Sequence, residues 1–227
     1  MSLRCCNVAR MTAPAISRWT WIGLALALFG IPAITTAHRL LAADTLASTG
    51  IVAREVAILA LTAFILWLVT AKERLPLTSI GISSDRILRS LGRGLLLAVV
   101  CLAAAIACVV TYRALGIAYG EGPGISRTIP VTILTVMRAG IAEEVLYRGF
   151  AIERLQALTG NKWLAAGLPL ILFALFHYRQ GLAGIFIAFL LGAILTAFYM
   201  WKRDLLANIF GHFLTDFIPN VLVAPPA

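Results

Sequence analysis

An all-α, polytopic bundle of about seven transmembrane helices is the fold this sequence predicts, on three observations. Of its 227 residues, 61% are hydrophobic and only 13% are charged, whereas roughly a quarter of a soluble domain is charged. Its mean hydropathy is +0.94. The apolar residues also gather in runs close to bilayer-spanning length, about 17–25 residues. Such a chain is embedded in lipid, and its length suits one domain.

The runs place helices near Trp19–Ala37, Glu55–Ala71, Gly94–Gly116, Ile129–Leu155, Trp163–Tyr178, Leu182–Trp201 and Leu205–Val223. The first has a basic lead, as a signal peptide has. Its apolar stretch is longer than a usual signal core, and Thr35-Thr36-Ala37 makes a poor cleavage site, so a retained anchor is expected. Tyr119-Gly-Glu-Gly-Pro-Gly124 cannot continue a helix. It divides three N-terminal helices (1–118), across a linker (119–128), from a motif-bearing core (129–227). No internal repeat and no low-complexity tract interrupts this plan.

The net charge of +9 invites nucleic acid as a partner, but the basic residues form no stripe with interleaved aromatics. They lie between the apolar runs, where they set topology and meet anionic lipid headgroups. With the N-terminus inside, the cytoplasmic segments hold 12 of them: Arg4, Arg10, Arg18, Lys72, Arg74, Arg86, Arg89, Arg93, Arg154, Lys162, Lys202 and Arg203. The opposite side holds 5: Arg39, Arg54, Arg113, Arg127 and Arg179. Seven alternating helices in a cytoplasmic (inner) membrane, N-terminus inside and C-terminus outside, fit that bias. Cys101 and Cys108, two turns apart in one run, read as small core residues. Cys5 and Cys6 lie in the basic tail without a lipidation motif.

An ionisable side chain at mid-membrane depth costs about 2.5–3.5 kcal/mol, so each one needs a reason. The first three helices have few; Arg54 and Glu55 read as a helix end reaching the interface, and His38 as an interfacial residue. The C-terminal half holds Glu143, Glu144, Arg148, His177, His212 and Asp216. Glu144 and Arg148, one turn apart, are placed to form an ion pair. Glu143 points about 100° away from Glu144 and has no evident intrahelical partner, a setting that suits a proton-shuttling carboxylate. Phe173 shares a helix face with His177. Asn208, His212, Asp216 and Asn220 recur every four residues as a polar stripe that must face protein or water. Pro219 is expected to bend that last helix.

A carboxylate, two imidazoles and a further polar side chain could activate a water and stabilise a tetrahedral oxyanion. Two histidines and a glutamate (Glu143, His177, His212) are also a zinc ligand set, although no His-Glu-x-x-His motif is present. The bland alternative for the asparagines is interhelical hydrogen bonding.

Glu143-Glu144-x-x-x-Arg148, Phe173-x-x-x-His177 and His212-x-x-x-Asp216, in this order, resemble the CPBP family of CAAX prenyl endopeptidases and bacteriocin-processing or immunity proteins, also called the ABI family. Tyr147-Arg-Gly-Phe150 and the helix Gly181–Trp201 add to the likeness, which covers about Ile129–Val223. The resemblance implies a helical membrane protease with a polar chamber inside the bilayer. It implies that Glu143 and His177 activate water, that His212 and the residue at Asp216 stabilise the oxyanion, and that Glu144 with Arg148 supports them. It implies glutamate-dependent chemistry with no cofactor, zinc being the less favoured case, and membrane-associated or lipidated peptide substrates. A non-catalytic immunity or sequestering protein that keeps the motifs is the alternative.

Members of the CAAX-processing type usually carry Asn where this chain has Asp216, and an ionised Asp cannot donate a hydrogen bond. Asp216 could be protonated, could orient His212, could leave His212 to donate alone, or could join a metal shell. The orienting role is preferred.

Overall fold

The computed structural model describes residues 17–41, 48–119 and 128–223. The tail with Cys5 and Cys6 and most of the Gly/Pro-rich seam lie outside the described residues. Those residues form seven helices and no strand: α1 (Arg18–Leu41), α2 (Ser48–Lys72), α3 (Ser84–Ala114), α4 (129–159), α5 (Lys162–Leu175), α6 (Tyr178–Lys202) and α7 (Leu205–Val223). Five of them, all but α4 and α5, are long and apolar enough to cross a membrane. The chain is an all-α polytopic bundle, as its composition predicts.

Local chemistry sets the boundaries. Asn161 Oδ1 accepts from the amides of Trp163 and Leu164 and so starts α5, while Asp204 Oδ1 accepts from Ala207 and starts α7. These side chains satisfy amide groups that a helix N-terminus leaves without partners. Gly160, in the left-handed region at φ 66°, ends α4, a conformation that costs glycine little.

Two boundaries differ from the apolar runs. α2 begins at Ser48 rather than near Glu55, because Ser48-Thr-Gly lowers the local hydropathy without preventing a helix. Glu55 therefore lies two turns inside α2 and is fully buried, not at an interfacial end. α5 stops at Leu175 after 14 residues; at 1.5 Å per residue it reaches about 21 Å, short of the roughly 30 Å hydrocarbon layer. His177 consequently stands in the tight turn between α5 and α6.

Lipid tails are as apolar as the side chains, so helices in a bilayer associate through close packing and polar contacts. α3 lies along α7, where glycines let the backbones meet. A Cβ on Gly94 would sit 2.8 Å from the Ala207 carbonyl oxygen, and one on Gly211 would sit 3.0 Å from that of Gly94. Cys101, fully buried, and Cys108 lie on α3, as core residues should. α1 packs on α2 and α4, with Gly23 directly beneath the ring of Phe150.

The helices alternate in direction. One end of the bundle is tied by Arg154 to Glu73 (2.7 Å), Thr20 to Glu73 (2.9 Å), Arg203 to Glu153 (2.6 Å) and Arg93 to Asp204 (2.8 Å). At the other end Tyr112 donates to the Ala183 carbonyl at 3.0 Å.

Candidate active site

α4 and α7 cross in the middle of the bundle, and Glu144 is the hub of that crossing. It is fully buried. Its Oε1 accepts from Arg148 Nη1 at 3.0 Å and from His212 Nδ1 at 2.7 Å, and its Oε2 accepts from Asn208 Nδ2 at 3.0 Å. The Glu144–Arg148 pair expected from the four-residue spacing therefore forms. Arg148 also donates from Nε to Thr196 Oγ1 at 3.4 Å and from Nη2 to the Gly192 carbonyl at 3.3 Å. Its guanidinium lies over Phe173, 4.5 Å from the ring centroid. Asn208 bonds α6 as well, through the Leu195 carbonyl at 2.9 Å. It acts as interhelical glue, and what it grips is the hub.

Glu143 is not unpaired. Arg138 Nη1 donates to its Oε1 at 2.9 Å. Five residues apart on an ideal α-helix these side chains would point about 140° from each other. Over Ala139–Ile152 the helix widens to i→i+5 hydrogen bonding, which turns positions five apart toward one face. Glu143 keeps its second oxygen free of Arg138: Oε2 stands 3.9 Å from His212 Nε2. The same His212 nitrogen is 3.5 Å from Asp216 Oδ2. His212 is thus gripped at Nδ1 by Glu144 and turns Nε2 toward two further carboxylates.

The remaining expected residues fall at different distances from this centre. Asp216 lies on the stripe one turn beyond His212 and about one-third exposed. Glu144, at 2.7 Å, is the tighter orienting partner of His212. Asn220 is exposed and donates to the Asp216 carbonyl in its own helix; Pro219 lies where α7 widens at Ile218–Val223. His177 packs on Phe173 as its spacing predicts, ring centroids 4.8 Å apart, and Phe173 meets Tyr147 edge-on. Its Nδ1 bonds the Phe173 carbonyl at 2.8 Å, and no ion pair joins it to Glu143 or Asp216. Among the described residues no three His, Cys, Asp or Glu side chains converge to hold a metal.

Two residues at the site's edge escape a sequence reading. Arg138 and Glu55 are paired, and Arg54 also bonds Glu55, its Nε at 3.0 Å from Oε1. The signal for Arg138 was its basic charge in an apolar run; nothing in the spacing ties it to Glu55, 83 residues away.

Residues 125–218 match the family described as type II CAAX prenyl endopeptidase Rce1-like. That match is consistent with a CPBP-family membrane protease. The matched segment contains Glu143, Glu144, Arg148, His177, His212 and Asp216, and it leaves out α1, α2 and α3. With the five long apolar helices it makes the chain an integral membrane protein. No curated protein and no solved structure matches the chain.

Proposed function

We infer that this chain is an intramembrane endopeptidase that hydrolyses peptide bonds of membrane-associated or lipidated substrates with a water activated by Glu143. The observation that carries this reading is the unequal treatment of one imidazole by two adjacent carboxylates. Glu144 holds His212 Nδ1 in a short hydrogen bond, while Glu143 stands 3.9 Å from Nε2. That gap is too long for a direct hydrogen bond, and a water could bridge it.

In the reading, Glu143 Oε2 takes a proton from that water as its oxygen adds to the scissile carbonyl carbon. His212, with both ring nitrogens facing carboxylates, donates from Nε2 to the oxyanion. Glu143 then returns its proton to the departing amine, the C–N bond breaks, and the carboxyl product keeps the water oxygen. Glu144, with Arg148 and Asn208 behind it, keeps the imidazole aimed. Asp216 limits how far His212 can swing and stands at the more open end. His177, with Nδ1 committed to the backbone, has Nε2 left to assist water activation once substrate occupies the site.

The likeness to type II CAAX prenyl endopeptidases makes a prenylated CAAX peptide the first substrate to try. The purified chain in liposomes is offered a farnesylated, fluorogenic CAAX peptide beside its Glu143→Gln variant. Cleavage by the wild type alone supports the reading; equal cleavage by the folded variant contradicts it.

A further inference from the structure

We propose that Arg138, clamped by Glu55 of α2, is a positioning residue for Glu143, so that the reacting carboxylate is set by a helix outside the family-matched segment. The proposal rests on the reading of Glu143 as the water-activating base.

Arg54, Glu55, Arg138 and Glu143 form a row of alternating sign running from α2 to α4. Glu55 is fully buried, and the side chains of Arg138 and Glu143 are only 10% and 13% exposed. Arg138 divides its donors: Nε serves Glu55 and Nη1 serves Glu143. A guanidinium has a rigid fork of donors, so fixing one edge fixes where the other points. The fork holds Oε1 of Glu143, and the oxygen left over, Oε2, is the one that faces His212. Among the described residues, Glu143 accepts a side-chain hydrogen bond from Arg138 alone, and at Oε1 only. The widened helix over Ala139–Ile152 has a use here, because it is what allows a residue five positions earlier to reach the carboxylate.

A purely structural role would also require the Glu55–Arg138 pair, so the test separates the two roles. In liposomes with the farnesylated peptide, Arg138→Met should lower kcat by about 100-fold with little change in KM, the cost of misplacing a reacting group by about 1 Å. Arg138→Lys, which keeps the charge and loses the fork, should recover only part of that loss. The decisive variant exchanges the partners, Glu55→Arg with Arg138→Glu. It retains a buried pair and the net charge while placing a carboxylate beside Glu143. Native abundance and thermal stability without activity support positioning; recovery of activity together with stability overturns it.

Infrared spectra need no turnover. The carboxylate band of Glu143, isolated by subtracting the Glu143→Gln spectrum, should shift in Arg138→Met and shift less in Arg138→Lys. A band indifferent to both overturns the proposal even if the peptide is not a substrate. Loss of Glu143-dependent cleavage in the wild type, with the band shift present, overturns only the reading of Glu143 as base.

Discussion

Glu144 accepts three hydrogen bonds from three different side chains, and among the described residues it is the one carboxylate paired with the buried Arg148. Removing the carboxylate leaves Arg148 buried without its counter-charge, an event that costs about 3–5 kcal/mol. Glu144→Ala should therefore lower the thermal stability of the detergent-solubilised protein by several degrees or prevent its accumulation. Glu143→Gln should leave stability close to wild type, because Glu143 lies at the edge of the network. The same melting curves check both. Asp216→Asn should retain cleavage, since an amide still lines the open side of His212 and adds a donor; a rate assay beside Asp216→Leu, expected to be slower, reads this. At this scale the sequence revealed the Glu144–Arg148 pair and the stripe through His212, because four-residue spacing on a helix is legible. It did not reveal Arg138–Glu143, because five residues on an ideal helix point apart. Glu55–Arg138 is a contact between distant segments, which no local spacing encodes.

The seven helices follow from apolar runs, and the runs locate each one. Their ends are less visible where polar residues take part in a helix, as at Ser48-Thr-Gly in α2, or where a short helix fits against neighbours, as in α5. The widened stretch of α4 has no evident sequence signal, yet it determines which residues share the site's face. The α3–α7 contact makes a prediction at this scale. Gly94→Val pushes side-chain atoms against the Ala207 carbonyl and Phe210, and overpacking of this kind costs about 1–3 kcal/mol. Thermal unfolding of Gly94→Val should show that loss, together with reduced cleavage, since α7 carries His212. Gly92→Val, which meets no neighbour within 4 Å, serves as the control.

Across the whole molecule, basic residues and helix direction agree. Arg4 and Arg10 fall outside the described residues. The other ten basic residues read as cytoplasmic lie toward the end of the bundle where α1 starts, or in the loops there. The positive-inside rule then predicts that this end faces the cytoplasm. With Cys5 and Cys6 changed to Ser, a membrane-impermeant maleimide should label Arg179→Cys in intact cells and Ser84→Cys only after lysis; the reverse pattern would invert the topology. The first three helices read as generic membrane segments in sequence, whereas α2 supplies Glu55 to the row of charges ending at Glu143.

We infer that this buried row of charges ends in the carboxylate that activates water for peptide-bond hydrolysis. The most direct test of that inference compares membrane-associated peptide termini in cells expressing the wild type and Glu143→Gln at matched abundance. New termini should appear with the wild type and vanish with the variant, and those termini would identify the substrate. Identical profiles from two folded, inserted proteins would contradict it.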